Sequence, residues 1–239
     1  MNNLGSWHLA LDTLGDTCSV ALTNGEQYWT ASVSTKKHSH VIHHGVSEVM
    51  EAASCRLSEV SLWVANIGPG SFTGVRIGLA AIKGYSLAHD TPILPLCHLY
   101  ILADQAYNTI DQEGGHHKMV NHVCVCEDAR MGEIYVGHYQ VIKNQLYTIK
   151  PVELISPKSL HALYPPQDCL KVGDGWKAYH DLLPSSWHQA DWFNPNNPAV
   201  SSKAITMLRI ANRMLKQTTV SLEDAKSLKA NYLRLKVTR

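Results

Sequence analysis

Two short apolar runs open the chain. His8-Leu-Ala-Leu-Asp12 ends in an acid, and Thr17-Cys-Ser-Val-Ala-Leu22 stops at the turn signal Thr23-Asn-Gly25. Gln27 to Val33 alternates weakly, so the three segments predict a meander of three strands. From His38 to Ala53 the period lengthens. Val41/Ile42, Gly45/Val46, Val49/Met50 and Ala53 return every three to four residues, which predicts a helix with one apolar face. Leu62-Trp-Val-Ala65 predicts a buried strand, Ser71 to Ala88 a second helix, and Pro92-Ile-Leu-Pro-Leu96 a further extended segment. Three strands, helix, strand, helix and strand make one α/β unit.

A polar, glycine-containing stretch, Gln112-Glu-Gly-Gly-His-His-Lys118, marks a seam, so the expected domains are 1–110 and 111–239. Met119 to Cys126 and Ile134 to Gln140 predict strands around a turn at Asp128-Ala-Arg-Met-Gly132, with another strand near Gln145 to Ile149. Tyr164 to Asn197 is rich in Pro, Trp and Asn and predicts loop, apart from short elements around Leu170-Lys-Val172 and Trp176 to Leu183. Ile205, Leu208, Ala211 and Leu215 support a helix near 202–215, which could pack back on the first domain. The order of elements partly repeats, and this points to duplicated α/β domains.

With 45% hydrophobic and 17% charged residues, the 239-residue chain has the material for a real core. A formal net charge of +1 argues against a broad nucleic-acid-binding surface. No apolar run reaches the length of a membrane span, and the N-terminus has neither the basic nor the apolar stretch of a signal peptide. Cys18, Cys55, Cys97, Cys124, Cys126 and Cys169 are too scattered for a disulfide scaffold. A cytoplasmic protein with reduced thiols is expected.

The segment Asn66-Ile-Gly-Pro-Gly-Ser-Phe-Thr-Gly-Val-Arg-Ile-Gly78 invites a phosphate-loop reading. The Walker pattern fails, because Thr73 stands at its second glycine and no Lys-Ser/Thr pair follows. The dinucleotide fingerprint fails at the same residue. Two alternatives remain: an anion corner at Gly70, Ser71 and Phe72, or a tight strand-to-helix junction with Ser71 as N-cap. Gly74, Gly78 and Gly84 each cost about 1 kcal/mol relative to alanine inside a helix, so a close neighbour should compensate. With Ala81 and Ala88 they make a thin face. Either a part of this chain fills it, such as the sheet below, or a second protein docks there.

Leu9-Ala-Leu-Asp-Thr13 with Cys18-Ser-Val-Ala-Leu22, Gly68 to Gly78, Asp128-Ala-Arg-Met-Gly-Glu-Ile-Tyr135, Val172-Gly-Asp-Gly-Trp176 and Tyr232-Leu-Arg234 together resemble the TsaB (YeaZ) proteins of bacterial tRNA modification. The resemblance spans nearly the whole chain. It implies two ribonuclease-H-like domains of the actin/Hsp70/sugar-kinase type, with mixed sheets and flanking helices. It also implies a non-catalytic scaffold that pairs with a homologous catalytic subunit, TsaD, and with the ATPase TsaE. That complex transfers a threonylcarbamoyl group to the adenosine beside the anticodon in tRNAs reading A-starting codons. The docking surface implied is the His38 and Ser71 helices, with Val41, Ile42, Gly45, Val46, Val49, Gly74, Ile77, Gly78 and Ala81. A homodimer of the free chain through the same surface is the alternative. ATP or ADP and a metal belong, on this resemblance, to the partner subunits, with no cofactor held tightly by this chain alone.

The candidate catalytic groups fall short of that chemistry. In kinases of this fold type, a glycine follows the acid of the first turn. Here Asp12-Thr-Leu-Gly15 places Leu14 at that glycine. His98 matches the first ligand of the catalytic relative's His-x-x-x-His pair, but Leu102 replaces the second. His40 and His44 share a helix face without the glutamate that a zinc hydrolase needs at position 41. His122, Cys124 and Cys126 share a strand face, where core cysteines are common. Ser71 is not in a G-x-S-x-G elbow. The tail residues Lys226, Lys229, Arg234, Lys236 and Arg239 are either a solvated terminus or a contact to tRNA or a partner.

Overall fold

β1 (Trp7–Asp12), β2 (Thr17–Thr23) and β3 (Tyr28–Ser34) form the expected meander, each antiparallel to the next. In this computed structural model the described residues are 6–34, 38–112, 120–162, 169–187, 192–193, 202–217 and 220–234. After the meander come α1 (His38–Ala53), β4 (Val60–Asn66), α2 (Phe72–His89) and β5 (Ile93–Leu96). β4 lies parallel to β1, and β5 parallel to β4, so the strand order is β3-β2-β1-β4-β5. β1 and β4 sit at the centre, which is why Leu9-Ala-Leu11 and Leu62-Trp-Val-Ala65 are continuous apolar runs with both faces covered.

Leu9, Leu11, Val20, Leu22, Trp63 and Ala65 face one layer, where Ile42, Val46 and Val49 of α1 and Val75, Leu79 and Ile82 of α2 pack on them. The other face receives α5 (Lys203–Leu215), in which the Ala204 N–H donates to Ser19 Oγ at 3.4 Å. Its inward residues Ala204, Met207, Leu208, Ile210 and Ala211 are all fully buried. Residues 220–231 then run past the edge of the sheet. Ile93 and Glu223 exchange two backbone hydrogen bonds at 2.8 Å, and the Asn231 N–H donates to the Ile67 carbonyl at 2.8 Å.

The chain divides into two compact units, 1–98 with 201–231 and 99–200 with 232–239. The second unit holds most of α3 (His98–Gln112), a helix that the sequence patterns did not predict. Tyr100 of α3 packs edge-on against Tyr139 at 5.5 Å and its hydroxyl donates to the Leu146 carbonyl at 3.4 Å. The division thus falls at His98/Leu99 and not at the polar seam near 110. Of that seam, Glu113 to Lys118 lies outside the described residues.

β6 (His122–Arg130), β7 (Glu133–Ile142) and β8 (Gln145–Ile155) form a second antiparallel meander. β9 (Cys169–Val172) pairs parallel with β6 and β10 (Trp192–Phe193) parallel with β9. The order β10-β9-β6-β7-β8 repeats that of the first sheet, strand for strand. Between β9 and β10 lies the single-turn α4 (Gly175–Ala178). The core of this unit gathers Cys124, Cys126, Ile134, Val136, Leu160, Trp176, Leu183 and Trp187. β6 runs further than expected, to Arg130, because Arg130 and Met131 adopt the left-handed conformation and shrink the turn to Met131-Gly132.

Candidate functional site

In open α/β sheets, ligands gather outside the carboxyl ends of the parallel strands. Here β1 and β4 deliver Asp12 and Asn66 to that end, and the start of α3 adds His98. All three are buried. Asn66 Nδ2 donates to Asp12 Oδ1 at 2.6 Å and lies 2.9 Å from His98 Nδ1. Its Oδ1 accepts the Gly68 N–H at 3.1 Å, and the His98 N–H donates to the Gly68 carbonyl at 2.8 Å. The amide therefore satisfies a carboxylate, an imidazole and the Gly68-Pro-Gly turn together. Because Nδ2 can only donate, His98 Nδ1 accepts and the ring proton sits on Nε2. Burial, and then the Lys203 ammonium, push the His98 pKa well below the ordinary histidine value, so the ring is neutral at neutral pH.

From α5, Lys203 reaches into the β1–β2 turn. Its Nζ donates to the Leu14 carbonyl at 2.9 Å and lies 3.9 Å from Asp12 Oδ2. Leu14 is buried, with Cδ2 only 2.7 Å from where a Cβ on Gly70 would stand. The β1–β2 turn is thus filled by a leucine side chain and an ammonium of the same chain. His98 is committed to Asn66, and Leu102 is a buried apolar residue of α3. Among the described residues, no group of three or more His, Cys, Asp or Glu side chains converges where a metal could sit. His40 and His44 both lie exposed on α1.

The anion corner expected at Gly70, Ser71 and Phe72 is in part used up internally. Ser71 Oγ accepts the Gly74 N–H at 3.3 Å, the N-cap bond of α2. The Phe72 ring is half exposed and carries the Arg76 guanidinium 3.6 Å above its centroid.

The nine residues expected on a docking face do not share one. Ile42, Val46 and Val49 point into the core, and Gly45 rests on Val20 and Ala31. Gly74 and Gly78 face the end of β1: a Cβ on Gly74 would stand 2.5 Å from the Thr13 carbonyl oxygen, and one on Gly78 would overlap Thr13 Oγ1. Their missing side chains are therefore explained inside this chain, which corrects the expected face. Val41, Ile77 and Ala81 are half-buried at the flanks.

The outward face of α2 is made instead by Thr73, Ala80, Gly84, Leu87 and Ala88, and a Cβ on Gly84 would meet open space. Leu87 is 63% exposed. Spacings of three and four along 73, 77, 80, 84 and 87 are the signal that could have found this second stripe. α1 is fastened beside it. His43 Nδ1 lies 2.5 Å from the Tyr85 hydroxyl, and the Tyr85 ring stacks on Trp63 at 4.8 Å with planes 7° apart.

In the second unit the predicted hairpin is an ion-paired turn. Asp128 accepts the Arg130 N–H at 2.7 Å and the Tyr179 hydroxyl at 2.7 Å, and its other oxygen lies 3.0 Å from the Arg130 guanidinium. Hydrogen bonding to Asp128, more than burial, raises the Tyr179 phenol. Arg234 is built into this turn, donating to the carbonyls of Ala129 and Arg130 and to the Glu133 carboxylate. The tail is therefore tied down at Arg234, while Lys236 and Arg239 lie outside the described residues. Gly173 in the Val172 to Trp176 segment has a φ of 104° and lies so close to the Cys126 carbonyl that no side chain fits.

Two copies of one mixed sheet, each with the strand order of ribonuclease H, place the chain in the actin/Hsp70/sugar-kinase class of folds. A family model described as TsaD, tRNA N6-adenosine threonylcarbamoyltransferase, matches residues 31–232. The tRNA threonylcarbamoyladenosine biosynthesis protein TsaB of Haemophilus influenzae is 28% identical over 242 residues, covering 96% of this chain and 94% of the relative. The protein of the same name from Escherichia coli K12 is 30% identical over 178 residues, covering 73% and 74%. The solved structure of YeaZ from Pseudomonas aeruginosa superposes with a TM-score of 0.80 at 27% identity, covering 95% of this chain and all of that one. The chain belongs to the TsaB (YeaZ) family within this wider group.

Proposed function

We propose that this protein is a non-catalytic subunit in tRNA threonylcarbamoyladenosine biosynthesis, holding a TsaD-like catalytic subunit through the outer faces of α1 and α2. Its relatives carry that pathway in their names. The observation that carries the scaffold role is the outward stripe of α2. Small side chains at Ala80, Gly84 and Ala88 beside the exposed Leu87 leave an apolar strip against which a partner helix packs closely.

The filled β1–β2 turn favours this reading over a small-molecule kinase of the same fold, because Lys203 and Leu14 occupy the space that phosphates would need. In this proposal nucleotide and metal chemistry belong to the TsaD-like subunit and to a TsaE-like ATPase. tRNA is met through the complex.

The test is co-elution with the cognate TsaD-like protein. An Ala80→Arg/Gly84→Arg double variant is expected to keep the native circular dichroism spectrum and lose the complex. Retention of the complex by that variant would sink the assignment of the surface. Tight ATP binding by the isolated chain would reverse the ranking against a kinase.

A further inference from the structure

The second sheet carries an imidazole pair that the scaffold role does not use. His122, the first residue of β6, and His138 on β7 face each other, with His138 Nε2 3.1 Å from His122 Nδ1 and ring centroids 5.0 Å apart. The strand register explains the meeting. Cys124 lies directly opposite His138, and His122 is two residues back from Cys124, on the same face of the pleat. A rigid antiparallel pair of strands therefore holds both rings, and neither relies on a mobile loop. His138 is buried, whereas His122 is half-buried at the start of its strand, so the pair is reached from the strand end.

The distance is informative. A zinc-type ion binds imidazole nitrogens at about 2.0–2.1 Å, and two such nitrogens at about 100° to one another are about 3.1 Å apart. The observed pair already has the edge length of two neighbouring ligands. Replacing the shared proton by a cation turns each nitrogen's lone pair about 40° off the line that joins them. Neutral imidazole is also the commonest protein ligand for this class of ion. We propose that His122 and His138 form a two-imidazole site for a borderline divalent transition-metal ion, with water completing the coordination, so that the bound ion clips β6 to β7.

Two features set its strength. Among the described residues no third His, Cys, Asp or Glu converges on the pair, so the site is bidentate. Lys150 on β8 pairs with His138 in the register and opposes a cation there. Cu2+ should therefore bind more tightly than Zn2+, following the general ligand-affinity order, and Mg2+, which prefers oxygen ligands, should not bind.

The experiment uses the full chain with His40→Gln and His44→Gln, which removes the histidines one turn apart on α1. Titration with CuCl2 and ZnCl2 is expected to give one site, with nitrogen hyperfine couplings from two imidazoles in the Cu2+ electron paramagnetic resonance spectrum. His138→Gln, and separately His122→Gln at the accessible strand start, should each weaken binding about 10-fold or more and reduce the couplings to one nitrogen. Lys150→Ala should tighten binding. No binding by the parent chain, or couplings unchanged in a folded His122→Gln variant, would overturn the proposal and leave the pair as a plain core hydrogen bond.

Discussion

The hydroxyl of Thr13 donates to the carbonyl of Gly74 at 2.8 Å, across the seam between the end of β1 and the first turn of α2. One residue thereby explains two glycines, because the same hydroxyl oxygen occupies the space a side chain on Gly78 would need. The helix is thin there so that it can lie on its own sheet. Gly78→Ala is expected to lose up to about 2 kcal/mol, since about 1 kcal/mol of helix propensity is regained against an overpacking cost of about 1–3 kcal/mol. Urea unfolding followed by circular dichroism measures it; a rise in the midpoint would show that Thr13 yields freely.

Gly84 provides the opposite outcome on the same helix. A Cβ there meets nothing within 4 Å. Gly84→Ala should therefore stabilise the free chain by roughly 0.5–1 kcal/mol. The thermal midpoint should rise, and a fall would mean that the outward face of α2 is covered even without a partner.

Lys203 holds a buried carboxylate in place. Lys203→Met would leave Asp12, which is 1% exposed, without its ammonium and the Leu14 carbonyl without a donor. A loss of about 2–4 kcal/mol is expected, because breaking one side of a buried pair strands the other. His98 should become easier to protonate in that variant, as Lys203 helps to keep it neutral. Its imidazole carbon-bound proton resonance, followed against pH, reads this directly.

Stability should fall as the medium becomes acid. The pKa values of His98 and His138 are both lowered in the folded chain, His138 to about 4, mainly by burial and then by neighbouring positive charge. A group with a lowered folded pKa binds more protons when unfolded, so stability rises with pH. The contribution is complete above the unfolded value near 6.5 and is lost as pH falls below it, continuing toward the folded value. For the fully buried His98 the slope approaches about 1.4 kcal/mol per pH unit. Denaturation curves between pH 7.5 and about 5 should show this slope, and His98→Leu should flatten it.

The periodic elements were legible because burial writes them directly into the residue pattern. Ile42, Val46 and Val49 announced α1 by spacing, and Leu9 to Leu11 announced a central strand by continuity. α3 has a helical period of its own in Leu99, Leu102, Ala103 and Ala106, but Asp104 and Gln105 are buried beside them, so its polar residues do not mark the exposed side. The domain seam was misplaced for a related reason. Polarity at Gln112 to Lys118 marks the end of a helix, whereas the division falls at its start. The site was harder still. Gly74 and Gly78 are visibly anomalous in a helix, but which way they face depends on the direction of α2 over β1. Lys203 meets Asp12 from 191 positions away, a pairing that no local pattern encodes.

The return of α5 and of residues 220–231 to the first sheet has a consequence for how the protein is made. The strands that emerge first from the ribosome lack both the helix that covers one face and the segment that closes the β5 edge. About a hundred residues of the second unit are translated in between, a wait of roughly 5–20 s at ordinary elongation rates. During that interval Ala10 and Val64, on the face that α5 later covers, stay open. The first sheet is thus closed only after about a hundred residues of the second unit have been made.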